Sequence, residues 1–319
     1  MCFYPITLKS GEVVPCGHCE ECYNQRRTEW SVRLQLHTLS YDRMPLFVTL
    51  TYAPEFLPEE GLKKKDLQNY IKRIRDKYNL YNTDFSFYAC GEHGDLLGRP
   101  HYHVLLFGMS VYDDIYLRDD ELCRSVIESD WKLGECFVCR ADWSGIHYVT
   151  KYCMKYLDRE WNDVGNPPFS LCSKGIGNGF LESDQYIFIK SCVNVEKFRK
   201  FLNDVPQLDF TNHHTLYSTS NEILDQLKPF VESTKIVLPS GKSVLLPRYY
   251  RKKLYGSYEN WKDNPFAYYR MVQKWNRYAK SVINGAKPQD RILVKQQQIA
   301  KRMFQKGHLV KPKNNFVVK

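Results

Sequence analysis

Two histidines separated by one residue, His101 and His103, stand in the run HYHVLLF at 101–107. On a strand, residues i and i+2 face the same side, so two imidazoles at this spacing can grip one ion. The competing reading of the bare pair is two histidines on an exposed strand face. Glu92 bears on the choice: it ends the preceding apolar segment, nine residues before His101. If the two segments pair as a hairpin, its carboxylate comes near both rings. Two imidazoles and one carboxylate leave positions open on a divalent ion. That donor set suits Mg²⁺ or Mn²⁺ acting on a phosphodiester better than a closed structural site.

A second group of reactive side chains lies in YVTKY at 148–152. Tyr148 and Tyr152 are four apart, so a helix would put both hydroxyls on one face. Lys151 and Lys155 fall three residues after Tyr148 and Tyr152 respectively, close to the same stripe. A tyrosyl oxygen attacking phosphorus forms a covalent intermediate, and a neighbouring ammonium group favours the tyrosinate and steadies charge on the phosphate. The alternative is a tyrosine stripe, extended by Tyr156, that packs on a sheet.

Cys16, Cys19 and Cys22 form CxxCxxC. Three thiolates at this spacing can bind structural Zn²⁺, with Cys2 or His18 as fourth ligand. The spacing also suits an iron–sulfur cluster, although redox chemistry has no evident use here, and simple reduced thiols are the plain alternative.

These groups need elements to hold them. QRRTEWSVRLQLHTLSY at 25–41 and KKKDLQNYIKRIRDKYNL at 63–80 have apolar residues at helical spacing. LFVTLTY at 46–52, FSFYACG at 85–91 and HYHVLLFG at 101–108 read as strands, the last two joined by a Gly- and Pro-containing connection. A short strand is expected within 131–138, a helix over 147–157, a loop over 165–179, a strand over 186–193 and a short helix over 195–203. His213 and His214 fall in a loop-like stretch. A hairpin follows at 235–247, then a mostly helical stretch between 258 and 306. The fold class expected is α+β, with a central antiparallel sheet flanked by helices and a basic, mostly helical C-terminal region. The expected division is a Cys-rich segment 1–24, a catalytic domain 25–205 and a basic accessory region 206–319.

The net charge of +10 is unevenly distributed. Residues 241–319 hold 19 basic and 3 acidic side chains, while 1–240 hold 27 and 33. A tail this basic needs a polyanion. Arg248, Arg251, Lys252, Lys253, Arg270, Lys274 and Arg277 alternate there with tyrosines and a tryptophan, which suits phosphates and unpaired bases together. The bland alternative is a helix whose aromatics pack inward while its cations are solvated. No apolar run is long enough for a membrane span. The N-terminus lacks the basic start and apolar stretch of a signal peptide, so neither membrane nor secretion is expected. Ser240-Gly241-Lys242-Ser243 lacks the upstream glycine of a phosphate-binding loop, since Ile236 stands there, so the chain has no NTPase signature of its own.

Taken together, the motifs resemble those of the rolling-circle replication initiators of the HUH endonuclease superfamily. Phe47-Val48-Thr49-Leu50-Thr51 looks like the first motif, His101-Tyr102-His103-Val104-Leu105-Leu106 the histidine motif, and Tyr148-Val149-Thr150-Lys151-Tyr152 the two-tyrosine third motif of the microvirus initiators. The opening PCGHCEEC and Lys174-Gly175-Ile176-Gly177 are similar to the small-phage, gokushovirus-type members. Tyr102 departs from the aliphatic residue usual between the two histidines. The resemblance implies a metal-dependent endonuclease that nicks one origin strand, keeps a 5′-phosphotyrosyl ester, and rejoins the strand to release a circle. It implies single-stranded and origin duplex DNA as partners, a host helicase and polymerase beside them, and the bacterial cytoplasm as the place of action. A plasmid relaxase or single-strand transposase would share the chemistry. A zinc-stabilised, non-enzymatic nucleic-acid-binding regulator would share only the DNA affinity.

Overall fold

In LFVTLTY the side chains of Leu46, Val48, Leu50 and Tyr52 are buried, while Phe47, Thr49 and Thr51 between them are only partly covered. This period of two is what a strand between two packed layers requires. The computed structural model describes residues 4, 6–7, 13–17, 19–94, 98–109, 130–152, 166–192, 195–209, 211–255 and 265–285. Cys2, His18 and Lys155 lie outside the described residues, as do parts of the helices expected over 147–157 and 258–306.

The chain packs as two units, Met1–Phe180 and Leu181–Lys319. In the first, the order is β1 (Ile6–Thr7), β2 (Val13–Val14), α1 (Glu20–Thr38), β3 (Leu46–Tyr52), α2 (Lys64–Tyr78), β4 (Ser86–His93), β5 (Pro100–Phe107), β6 (Gly134–Arg140), α3 (Trp143–Tyr152) and β7 (Phe169–Cys172). The main sheet has five strands in the order β6-β3-β5-β4-β7, all neighbours antiparallel. Helices cover both faces, so the α+β expectation holds. β7 falls within the loop expected over 165–179; only four residues pair there, too few to register as a strand pattern.

One face of the sheet carries Leu46, Val48, Leu50, Tyr102, Val104 and Leu106, and α2 closes it with Leu67, Tyr70, Ile71 and Ile74. Burying each such aliphatic side chain contributes about 1.5–3 kcal/mol. Tyr102 belongs to this face: its ring is fully buried. Its hydroxyl lies 2.7 Å from that of Tyr52 and accepts from the Lys63 backbone N–H at 2.8 Å. Tyr52 in turn donates to Asp66 Oδ2 at 2.8 Å. The residue between the two histidines is therefore a core residue that ties β5 to the start of α2, and burial pushes its phenol up to about 12. The other face carries Tyr88, Cys90, Leu105 and Phe107 and is covered by Leu34 of α1 and by Ile146 and Val149 of α3. Gly134 opens β6 with φ +148, and a Cβ there would stand 2.3 Å from the Thr51 carbonyl oxygen, so only glycine fits.

The second unit contains α4 (Asp184–Cys192), α5 (Val195–Asp204), α6 (His213–Glu232), the hairpin β8 (Lys235–Val237) and β9 (Ser243–Leu245), α7 (Arg248–Tyr255) and α8 (Pro265–Ile283). Phe198, Ile223, Leu227, Tyr268 and Val272 form its core. Asn276 of α8 donates to Ser220 Oγ at 2.8 Å and to Asn221 Oδ1 at 2.9 Å on α6. Two expectations are corrected here. The strand expected at 186–193 is α4: Tyr186 and Ile189 are buried three residues apart while Phe188 is 66% exposed, a helical periodicity. Its apolar, β-branched composition imitates a strand, and the capping Ser183, which accepts from Tyr186 N at 3.2 Å, is the signal that decides for a helix. His213 and His214 are not in a loop but open α6, where Asn212 Oδ1 caps the His214 and Thr215 N–H groups.

His37 of α1 is buried between the rings of Phe107 and Tyr41, with Nε2 2.7 Å from Ser86 Oγ. Burial, aided by the nearby Arg33 guanidinium, pulls its pKa down to about 4. The unfolded chain takes up that proton near about 6.5. Between these values the unfolded state binds more protons, so stability falls as pH drops from about 6.5 toward 4. The contribution amounts to about 2 kcal/mol between pH 7 and pH 5. Urea unfolding at the two pH values should show that much less loss in His37→Gln than in the wild type; equal losses would clear His37 of the role.

Candidate functional site

The histidines are positioned by register. In the β3–β5 pair, Thr49 lies opposite His103 and Thr51 opposite His101. In the β4–β5 pair, Cys90 lies opposite His103 and Glu92 opposite His101. All six side chains therefore share the face away from α2. Glu92 and His103 are buried, and Glu92 Oε1 lies 3.0 Å from His103 Nε2. The hairpin thus brings the carboxylate to His103, one of the two rings expected near it. His101 is partly exposed and stands nearer the end of the hairpin, where a Cβ on Gly94 would come within 3.1 Å of its Nε2.

Thr49 and Thr51 do something that the sequence motif alone does not reveal. Thr49 Oγ1 lies 3.2 Å from His103 Nδ1, and Thr51 Oγ1 lies 3.0 Å from His101 Nδ1. Each hydroxyl engages the Nδ1 side of one ring, and on His103 the Nε2 side meets Glu92. A partner on one ring nitrogen sets the tautomer and angle of a metal-binding imidazole. The signal available in the sequence is the alternation in Phe47-Val48-Thr49-Leu50-Thr51, which puts both threonines on the side of the histidines once the strands are paired.

The tyrosines arrive on α3. Asp142 opens this helix by accepting from Gly145 N, and Ile146 and Val149 bury its inner side. Tyr148 and Tyr152 are left at the edge that borders the histidines. The Tyr152 ring stacks on His103 with centroids 4.4 Å apart and planes 28° apart. Tyr148 meets His103 edge-on at 6.4 Å and Tyr152 at 4.6 Å. The two hydroxyls touch, with Tyr152 donating to Tyr148. Tyr148 is 45% exposed, so the pair packs on the sheet and still presents a phenol to solvent. Lys151 is exposed on the same helix. The Phe47 ring also stacks with His103, at 5.8 Å between centroids. A cleft of about 720 Å³, lined by Tyr41, Arg43, Asp84 and Arg140 among others, lies at the opposite end of β3 and takes no part in this arrangement.

The other predicted residues separate into groups. The trio of metal-binding side chains that the described residues bring within 4.8 Å of one another is Cys16, Cys19 and Cys22, a cluster that can hold a metal. Of the basic residues, Arg248, Lys252, Lys253 and Arg277 are exposed or half-buried on α7 and α8. Arg251, expected to contact DNA, is instead buried, with its guanidinium 4.9 Å over the Phe266 ring. Arg270 and Lys274 lie on α8, but their side chains are not among those described. No helix of the described residues is long and apolar enough to cross a membrane.

Comparison with known proteins supports the same site-bearing region. Residues 45–157 match a family model for replication-associated proteins of the ORF2 type. The chain is 27% identical over 195 residues to "Replication-associated protein ORF2" of Spiroplasma virus 4, covering 56% of this chain and 61% of that one. It is 28% identical over 152 residues to "Replication-associated protein ORF4" of Chlamydia phage 1, covering 44% and 38%. It is 29% identical over 168 residues to "Replication-associated protein VP4" of Bdellovibrio phage phiMH2K, covering 48% and 53%. The matches thus span roughly 38% to 61% of the curated relatives' lengths. No solved structure matches. The stretch 45–157 that matches the family model contains both histidines, Glu92 and both tyrosines.

Proposed function

We propose that the chain initiates rolling-circle replication of a small phage genome by nicking one strand at the origin and later rejoining it. The observation that carries this reading is the contact of two phenols over a histidine that is paired with a carboxylate. That the matched relatives are replication-associated proteins favours replication over a relaxase or transposase role.

Glu92, His101 and His103 would hold Mg²⁺ or Mn²⁺. The donor set fits: two imidazoles steadied at Nδ1 and a buried carboxylate share one sheet face. A bound divalent ion supplies charge that polarises the phosphodiester and orients it. One tyrosine oxygen attacks the phosphorus, and the 3′-oxygen leaves and gains a proton. The phosphate stays on the protein as a 5′-phosphotyrosyl ester. The number of phosphate ester bonds is conserved, so no ATP is consumed. The freed 3′-OH primes a host polymerase while a host helicase opens the duplex in the bacterial cytoplasm. After one round the second tyrosine cleaves the regenerated origin, and the new 3′-OH attacks the first ester to close a circle. Lys151, and Lys155 beyond it, are assigned to steadying charge on the reacting phosphate. Residues 25–205 are assigned the nicking and 206–319 the grip on DNA, through Arg248, Lys252, Lys253, Arg277 and the α8 positions Arg270 and Lys274.

Incubation with single-stranded oligonucleotides tiled across the origin, with Mn²⁺ or EDTA, followed by denaturing electrophoresis, tests the reading. A covalent adduct should form with Mn²⁺, disappear with EDTA, and be absent in the Tyr148→Phe, Tyr152→Phe double variant. An adduct that survives in the double variant removes both tyrosines from the mechanism. Thr49→Val and Thr51→Val should weaken Mn²⁺ binding about 10–100-fold, measured by titration calorimetry, whereas Thr→Ser should retain it; unchanged affinity would show that the threonines do not orient the ligands.

The grip on DNA needs a gentler test than truncation, because α8 contributes to the core of the second unit. Lys252→Glu with Lys253→Glu changes exposed charge on α7 alone. It should reduce the slope of log affinity against log salt for single-stranded DNA by about 0.7 for each phosphate no longer neutralised. An unchanged slope would place the DNA elsewhere.

A further inference from the structure

The cysteines at the start of α1 remain outside this chemistry. Cys19 sits at the N-cap position of α1 with extended backbone, and Cys22 follows in the first turn. The two sulfurs lie 3.5 Å apart. Gly17 adopts φ +78, a left-handed turn that L side chains avoid, and the chain bends there between Cys16 and the helix. Cys16 Sγ is thereby brought within 4.8 Å of both other sulfurs. None of the three takes part in a disulfide. A tetrahedral zinc with Zn–S of about 2.3 Å places its sulfurs about 3.8 Å apart, close to the 3.5 Å between Cys19 and Cys22, with Cys16 within 4.8 Å of both.

Three thiolates and one further ligand complete a structural site, with no position left for substrate.

What the site would hold in place is visible along α1. Trp30 packs on Tyr88 at 4.8 Å, and Ser31 Oγ lies 3.0 Å from His147 Nδ1 on the tyrosine helix. Leu34 is fully buried in the cluster that contains Ile146 and Val149 of α3. Arg33 donates to the Ile176 carbonyl through Nε at 2.9 Å and Nη2 at 2.6 Å. The helix that begins at the cysteines is thus part of the bed on which α3 lies.

We propose that Cys16, Cys19 and Cys22 bind one structural zinc ion that pins the start of α1 and, through α1, the position of the tyrosine helix. Metal release raises solvent access at α3 without removing any group from the histidine face. Elemental analysis of the full-length protein, expressed with added zinc, should find one zinc per chain. The Cys16→Ser, Cys19→Ser variant should lose it, and a Cys136→Ser, Cys139→Ser control should keep it. In the wild type, stripping zinc with a thiol-reactive mercurial and a chelator should speed amide exchange across 143–152 about 10-fold, and zinc with added thiol should restore protection. Wild-type protein without zinc, or zinc undiminished in the first variant, overturns the site; so does bound iron with a visible cluster chromophore. Exchange at 143–152 that ignores zinc overturns the link to α3.

Discussion

The register in which β3 and β4 pair with β5 is the constraint on which the rest of the site depends. Side chains alternate strictly between the two faces of a sheet, so a slip of one residue would carry His101 and His103 into the core and bring Tyr102 out. What prevents the slip is the packing of the opposite face. Val48, Leu50, Val104 and Leu106 meet α2 there, and Tyr102 is fixed by Tyr52 and by the Lys63 backbone. The middle residue of the histidine motif is thus free to be aromatic, because its demands are those of the core. The two histidine positions are held in place by a residue on the opposite face of the sheet.

The tyrosine helix is subject to a second constraint. It has to bury an apolar side while leaving two phenols at the histidines. Ile146 and Val149 satisfy the first requirement, and the i, i+4 spacing of Tyr148 and Tyr152 satisfies the second. Packing on the sheet and a phenol presented at the histidine face, alternatives when only the sequence is considered, are compatible in the structure. Tyr152 packs by stacking on His103, so the contact that fixes the helix also fixes the distance from phenol to imidazole.

Much of this is legible in the sequence because it follows from periodicity. HxH with Glu92 nine residues earlier predicts a shared face once a hairpin is assumed, and the β4–β5 register provides that pairing. The threonines are legible as part of a motif but not in their role. Contact with Nδ1 depends on which strands are neighbours across 50 and 54 residues of chain, information that no local pattern contains. Segment 184–192 misleads because Ile and Phe in alternation look like a strand, whereas its helical state is set by capping and by what lies against Tyr186 and Ile189. β7 is invisible in the sequence because its pairing with β4 gives it strand geometry that its composition alone does not.

Arg251 shows why a charge count locates a polyanion site only coarsely. The formal +16 of residues 241–319 includes a guanidinium that is buried against Phe266 and so cannot meet a phosphate directly. A buried cation stacked on a ring contributes to packing, and its field at the surface is attenuated. Neighbouring Lys252 and Lys253 are exposed on the same helix, with a Tyr249 ring 5.5 Å from the Lys253 ammonium. One short helix thus divides its cations between core and solvent, as its period requires. Counterion release depends on the cations that reach phosphate. If this region grips DNA as proposed, the strength of that grip follows the outward positions of α7 and α8, and the stability of the second unit follows the inward ones.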